Sequence, residues 1–320
     1  MDNYQYRLSI IIPYYNEFDR LVACLKSIPN NNADLVEYII VDDCSKDDLK
    51  KKLDFSLFPN LNINVFRNAI NSGPGVSRNF GIKQASGEYI TFLDSDDQFD
   101  TSFFNEIFDY LDGKNELIIF DYLQQNLDKT VQKSIFFNSH IEIKDIATLV
   151  SLMRGSSWGR VYKSSLIQEH KIEFLNQKRN EDIPFSKSLC SYVTKFVYVK
   201  KPYYHYTENQ QSLMHQDHLL DPRNALNSFE YMREHFNTKL DRSVLSCIYL
   251  KNVFVSTSLM NLKRMKRKEW IKYVSNLKKD EYFSNKNKYF KNYPLSSKIA
   301  FFLIKQRLYY MTKLLYKMFR

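Results

Sequence analysis

Glycine is scarce in this chain. Only seven occur in 320 residues, and four of them (Gly73, Gly75, Gly81, Gly87) lie in the single stretch from Asn71 to Gly87. Together with 44% hydrophobic and 15% aromatic residues, this excludes collagen-like and low-complexity chains and indicates a packed globular protein, long enough for one large domain or for one domain with an appendage. Cysteine is scarcer still: Cys24, Cys44, Cys190 and Cys247 show no paired spacing of the kind used by zinc sites or redox couples, and read as reduced thiols of a cytosolic protein. The N-terminal run MDNYQYRLSIIIP lacks the basic start and small-residue cleavage site of a signal peptide, and no uninterrupted apolar run approaches the length that spans a bilayer. Neither secretion nor an integral anchor is expected. Acidic residues are absent after Glu281. The net charge of +10 is therefore concentrated: Leu262 to Arg320 carries 17 Lys/Arg against 3 Asp/Glu, which leaves 29 against 33 for residues 1–261. The basic character belongs to the tail, and nothing in the first 261 residues supports nucleic-acid binding.

What is present is an alternation of periodicities. Leu8 to Pro13 is a β-branched run ended by proline, and Leu21, Val22, Leu25 and Ile28 then recur at helical spacing within Glu17 to Ile28. The pattern returns as strands at Val36 to Asp42, Leu61 to Phe66 and Glu88 to Leu93, with helices predicted at Lys46 to Leu53 and Pro74 to Ala85. Strands alternating with helices imply an α/β fold with a mostly parallel sheet covered on both faces. From Thr101 to His215 helix candidates (Thr101 to Leu111, Lys144 to Arg154, Asp182 to Ser191) mix with short strands (Leu117 to Tyr122, Phe196 to Val199), the second half of the same domain. From about Leu220 the chain reads as helical and free of glycine, which places a boundary near residue 216.

In such sheets ligands bind beyond the carboxyl ends of the strands. Three of those ends carry polar groups: Pro13-Tyr14-Tyr15-Asn16-Glu17, Asp42-Asp43-Cys44-Ser45 and Asp94-Ser95-Asp96-Asp97. Asp94 and Asp96, one residue apart at the end of an apolar strand, suit a hard divalent cation such as Mn²⁺ or Mg²⁺. The alternative is that Asp97, Asp100 and their neighbours cap the helix starting near Thr101. The glycine-rich stretch NSGPGVSRNFGIKQASG allows close backbone approach, Pro74 opens a helix whose N-terminus favours anions, and Arg78 could reach a phosphate or form an ordinary ion pair. Trp158, one of two tryptophans, could stack on a sugar or anchor a core.

Taken in order, LSIIIPYYNE, EYIIVDDCSKDD, NSGPGVSRNFGIKQASGEYITFLDSDD, SSWGRVYK and NEDIPF resemble the successive motifs of family 2 glycosyltransferases of the GT-A fold, over roughly residues 8–206. The resemblance implies a Rossmann-like GT-A domain over 1–215, with a nucleotide-sugar half at 1–100 and an acceptor half at 101–215, followed by a helical basic region at 216–320. It assigns Pro13, Tyr15 and Glu17 to the base and ribose, and Asp43 or Asp42 to the pyrimidine edge. Asn71 and Arg78 fall to the uridine or diphosphate, Asp94 and Ser95 to the ribose or donor sugar, and Asp96 to the metal. Trp158 and Asp97 are expected to face the substrate. It makes Asp182 the general base, with Glu181 as its rival. His215 is a further candidate metal ligand, and His205 shares that role. The reaction implied is inverting transfer from a UDP-sugar to a glycan or lipid-linked saccharide in capsule or other surface polysaccharide synthesis. The alternatives are transfer to a protein or wall polymer, or a catalytically idle nucleotide-sugar-binding module.

In the tail, Phe301, Ile304, Leu308, Met311, Leu315 and Met318 recur at steps of three and four beside Lys298, Lys305, Arg307, Lys313, Lys317 and Arg320. This predicts one amphipathic helix lying on an anionic membrane surface, and hence an enzyme peripheral to the inner face of the cell membrane. The alternatives are packing on its own domain, a homodimer contact, or nucleic-acid binding by the clustered Lys/Arg.

Overall fold

The computed structural model describes residues 4–29, 34–125, 129–138, 141–177, 179–208 and 221–318. In chain order the first elements are β1 (Tyr6–Tyr14), α1 (Phe18–Ser27), β2 (Val36–Asp42), α2 (Leu49–Lys52), β3 (Asn62–Arg67), α3 (Pro74–Gln84) and β4 (Gly87–Phe92). Next come β5 (Gln98–Phe99), α4 (Thr101–Glu106), β6 (Leu117–Gln125), β7 (Thr130–Lys133), α5 (Ile146–Leu152), β8 (Arg160–Lys163), α6 (Ser164–His170), α7 (Asp182–Cys190) and β9 (Phe196–Thr207). The rest is helical: α8 (Pro222–His235), α9 (Arg242–Ile248), α10 (Ser256–Asn261), α11 (Arg267–Leu277), α12 (Leu295–Lys305) and α13 (Tyr309–Met318). The chain divides into two compact units, Met1–Ile135 with Ser156–His215, and Phe136–Gly155 with Gln216–Arg320.

In the first unit the sheet runs β3-β2-β1-β4-β8-β6-β9-β5, with β7 added to β6. β1 is parallel to both neighbours, β2 and β4, and Leu8, Ile10, Ile11 and Ile12 are fully buried, the unbroken apolar run that a doubly covered strand requires. The chain winds from β1 outward to β3 and returns to the other side of β1 as β4, so a topological switch point opens at the carboxyl ends of β1 and β4. Two glycines make the close packing here. A Cβ on Gly81 would lie 2.5 Å from Ile11 Cγ2, so α3 sits flush on β1, and one on Gly87 would lie 2.6 Å from the Ser9 backbone nitrogen. Glu37, buried in β2, is satisfied there by the Ser9 hydroxyl and by the Ser86 N–H and hydroxyl.

The second half of the sheet is mixed rather than parallel. β8 pairs antiparallel to both β4 and β6, while β9 is parallel to β6 and twelve residues long, well beyond the expected Phe196 to Val199. Its register against β6 shifts around Asp121, a bulge that lets the strand continue past its first four residues. The expected helices at Lys46 and Thr101 are shorter, ending up as α2 and α4 followed by a tight turn.

The helical unit is built around a run of 20 residues, Arg242–Asn261, comprising α9, a widened π turn at Tyr249–Val255, and α10. By length and composition this helix could cross a membrane, although Lys251 interrupts its apolar run, but most of its apolar window is buried and it serves as the core helix. The indole N–H of the fully buried Trp270 donates to the Ser258 carbonyl, and the Tyr249 hydroxyl to the Leu277 carbonyl. Residues 136–155, expected in the first domain, belong with this unit. α5 buries Leu149, Val150 and Leu152, the Tyr293 hydroxyl donates to the Ser151 carbonyl, and the Asn138 amide donates to the Asn292 carbonyl.

The single tail helix is also corrected. Arg307, at φ 58°, closes α12 in a left-handed cap in which the Leu308 N–H reaches back to the Leu303 carbonyl, and α13 then starts in a new direction. The predicted stripe is thereby split: Ile304 is fully buried, whereas Met311 and Met318 are exposed.

Candidate active site

The loops after β1, β2 and β3 are tied to one another through their polar side chains. Asn16, at φ 60°, receives the Lys46 N–H on its side-chain oxygen and donates its own N–H to the Ser45 hydroxyl. Asp43 accepts from the Asn68 amide and from the N–H groups of Ser72 and Gly73, which joins the β2 loop to the glycine-rich segment, and the Asn71 amide donates to the Asp43 carbonyl. Asp42 is buried and bound to the Arg67 guanidinium at 2.7 Å and to the Ser45 N–H, so it shapes the loop rather than facing outward. Pro13 is likewise inside β1, opposite Val41 and buried, while Tyr15 at 48% exposure and the half-exposed Glu17 form the outer surface of this loop.

α3 begins at Gly73, whose φ of 90° is open to glycine, and continues with Pro74 at the first helical position. A Cβ on Gly75 would lie 2.7 Å from the Leu175 carbonyl oxygen and 3.0 Å from Glu181 Cγ, so this glycine brings the start of α3 against the segment that carries Glu181 and Asp182. One turn on, Arg78 is buried and forks between two carboxylates, Nη1 to Glu181 at 2.9 Å and Nη2 to Asp94 at 2.7 Å. Burial works against its charge, but Asp94 and Glu181 outweigh that and push its pKa up. This guanidinium joins the carboxyl end of β4 to the N-terminus of α7, residues 103 positions apart in sequence on the Glu181 side.

Asp182 opens α7 directly after Asn180, at φ 60°, and Glu181. Its side chain is only partly covered, and its carboxyl is pushed up to about 7, by burial first and then by the neighbouring Glu181, against the pull of Arg78. Asp96 is pushed up to about 6 by burial, by Asp94 and by Glu17, and Arg20 lies 3.3 Å from Glu17 and 3.7 Å from Asp96. Ser95, between the two carboxylates, is half-exposed.

Asp97 departs from the substrate-facing expectation. It is buried, and its two oxygens accept from the Tyr204 hydroxyl and the Thr207 N–H, both at 2.7 Å. The Tyr204 hydroxyl also accepts from the Asp94 N–H at 3.2 Å, so β9 holds the acidic loop in place from beneath. The helix-capping alternative is realised by Asp100, which caps α4 through the Ser102 N–H. Trp158 lies parallel to Tyr204, ring centroids 4.7 Å apart, and to Tyr206 at 5.7 Å, which puts its half-exposed indole beside the tyrosine that supports the acidic loop. His205 Nε2 is 3.2 Å from Asp100. His215 lies outside the described residues. The sequence reading missed Tyr204 and Arg20. Arg20 sits one helical turn beyond Glu17, the only local signal, and Tyr204 was concealed because β9 was ended too early.

Comparison with known proteins identifies the family and the fold. Residues 9–236 match the family described as Glycosyl transferase family 2. The chain belongs to that family. It is 29% identical over 215 residues to the putative glycosyltransferase EpsH of Bacillus subtilis, covering 65% of this chain and 62% of that protein. It is 29% identical over 177 residues to the poly(ribitol-phosphate) beta-N-acetylglucosaminyltransferase TarP of Staphylococcus aureus, covering 52% of each. The chain thus spans less than two thirds of the length of both. Among solved structures, S. aureus TarS 1-349 in complex with UDP-GlcNAc superposes with a TM-score of 0.66 at 19% identity, covering 98% of this chain and 91% of that one. The fold is therefore the GT-A α/β fold of that family, with a helical C-terminal region. A mannosyltransferase from Pyrobaculum calidifontis, solved with GDP-Man and Mn²⁺, superposes more loosely, with a TM-score of 0.56 at 12% identity.

Proposed function

We propose that this family 2 glycosyltransferase is an inverting enzyme that moves a sugar from a UDP-sugar to a hydroxyl of a cell-surface polymer, with Asp182 as the general base. The observation that carries the reading is the placement of Asp182, partly open and with its carboxyl raised to about 7, one residue from the Glu181 that Arg78 bridges to Asp94. A carboxyl near 7 is about half ionised at neutral pH, and in its ionised form it is basic enough to take the acceptor proton. Bridging by Arg78 holds the donor-side and base-side carboxylates at a set separation before reaction, as an in-line displacement requires.

Among the described residues no three His, Cys, Asp or Glu form a metal cluster. The donor set nevertheless fits a hard cation: Asp96 and Asp94 offer carboxylate oxygens, and Asp96 is raised by burial and then by the charges of Asp94 and Glu17, a repulsion that a dication would relieve. Mg²⁺ and similar ions are commonly held by one or two carboxylates, with phosphate oxygens and water filling the other positions. When bound, the cation would offset the charge on the departing diphosphate. Arg78, shared between Asp94 and Glu181, offsets part of the carboxylate charge in the same region. The acceptor reading is supported by relatives whose names specify poly(ribitol-phosphate), which favours a wall polymer over the lipid-linked saccharide expected from the sequence.

Calorimetry with UDP and UDP-GlcNAc, with and without Mn²⁺, tests the donor site. Metal-dependent binding that disappears in Asp96→Ala is expected, and no nucleotide binding by the wild type refutes the reading. Asp182→Asn should retain donor binding and lose transfer by about 10²-fold or more. Loss of donor binding in that variant would remove Asp182 from the base role.

A further inference from the structure

The outer faces of α12 and α13 stand out from the rest of the surface. Eight of the fourteen exposed large hydrophobic side chains among the described residues lie between Leu295 and Met318. They follow helical spacing: Leu295, Ile299 and Phe302 on α12, and Met311, Leu314 and Met318 on α13. The opposite faces are the ones used for packing, through Ala300, Leu303 and Ile304 on α12 and Tyr309 and Thr312 on α13. These exposed residues are therefore a second apolar face, not the edge of the core, and Leu314 at 62% and Met318 at 71% exposure are uncovered to a degree that isolated surface residues of a monomer seldom reach together.

Charge narrows what covers this face. Lys298 and Lys305 flank the apolar stripe on α12, Lys313 and Lys317 flank it on α13, and no carboxylate side chain occurs after Glu281. A face shared with a second copy would bring like charges together at its rim, whereas a bilayer rich in anionic lipid offers phosphates to the lysines and hydrocarbon to the stripe. Lysines so placed lay their methylene stems along the apolar surface and keep the ammonium at headgroup level. Helices of 11 and 10 residues are too short to cross a bilayer but suit the interface plane.

We propose that α12 and α13 together form a docking face for an anionic lipid surface, both helices lying in the headgroup layer. The break at Arg307 is part of the device. A single straight helix would turn Ile304 and Met311 to the same side, whereas the left-handed cap lets each helix bury one face and present the other.

The test is flotation of the full chain with vesicles of phosphatidylglycerol and phosphatidylcholine, compared with phosphatidylcholine alone, with sedimentation equilibrium run in parallel. The wild type is expected to float with the anionic vesicles, to be released by about 0.5 M salt, and to be monomeric. Phe302→Ser with Leu314→Ser, and separately Lys298→Glu with Lys317→Glu, should each lower partitioning about tenfold or more, with the melting temperature unchanged for the first pair and lowered only slightly for the second, which gives up the exposed Lys298 hydrogen bond to the Lys291 carbonyl. Equal partitioning onto neutral and anionic vesicles, or variants that float like the wild type, overturns the proposal. A wild-type dimer that these substitutions dissociate also overturns it and makes the face a contact between copies. The readout is binding, so it stands or falls independently of the transfer reaction.

Discussion

Asp182 is the residue at which stability and activity pull hardest against each other. Its carboxyl rises from an ordinary 3.8 to about 7 on folding, because burial and Glu181 oppose its charge. The folded chain therefore holds a proton on this group over a range where the unfolded chain has released it. Stability is accordingly highest below about pH 4 as far as this group is concerned, and declines as the pH rises through the folded value near 7. A shift of roughly three units at about 1.4 kcal/mol each sets a ceiling of about 4 kcal/mol, and because the carboxyl is linked to Glu181 and partly open, about 2–3 kcal/mol is the working expectation. Asp182→Asn keeps the shape and removes the titration. Urea denaturation of both proteins, metal- and donor-free, should give matching stabilities near pH 3.5, a difference that has begun to open by pH 5, and a variant more stable by about 2–3 kcal/mol at pH 8. Parallel curves, with no growth of the difference from pH 5 to pH 8, would show that Asp182 is not held protonated by its surroundings and would remove the physical basis for a base tuned to neutrality. The stabilised variant should at the same time be inactive, the trade-off expected where a strained charge is retained for function.

Two further outcomes follow from the same network. Arg78→Ala leaves Glu181 and Asp94 facing each other without their shared cation, and should cost about 3–5 kcal/mol in urea denaturation as well as donor affinity; a loss under about 1 kcal/mol would show that the fork is solvated and structurally minor. Tyr204→Phe removes the hydroxyl that donates to Asp97 and accepts from the Asp94 N–H, and should cost about 1–3 kcal/mol while weakening Mn²⁺-dependent nucleotide binding. Unchanged nucleotide binding in that variant would mean that the acidic loop is held without the Tyr204 hydroxyl.

Much of this site is local in origin and was legible in order along the chain. β1, β2 and β4 are short β-branched runs ended by proline or aspartate, and acidic residues directly after such strands fall where parallel sheets bind ligands. The glycine cluster likewise marked a close approach, and Gly75, Gly81 and Gly87 each prove to touch a neighbouring backbone or side chain. The second half was harder. β8 is four residues long and includes the buried Arg160, which gives no alternation to detect. β9 passes through Lys200, Lys201 and Pro202, residues that end most strands and that are tolerated here by a register shift against β6.

The sequence by itself determined the family motifs, the parallel nucleotide half, the helical and basic end, and the chemical type of the site residues, because each depends on neighbours within a few positions. Only the tertiary structure decided which carboxylates are available. Asp42 and Asp97 look as eligible as Asp94 and Asp96 in the one-dimensional pattern, yet they are buried against Arg67 and Tyr204, whereas Asp94 and Asp96 stay partly exposed. The partners of Arg78 come from two segments far apart in the chain, and the tail's stripe is divided by a backbone cap at Arg307. Those outcomes rest on long-range ion pairs, burial and one left-handed residue, none of which leaves a periodicity in the chain.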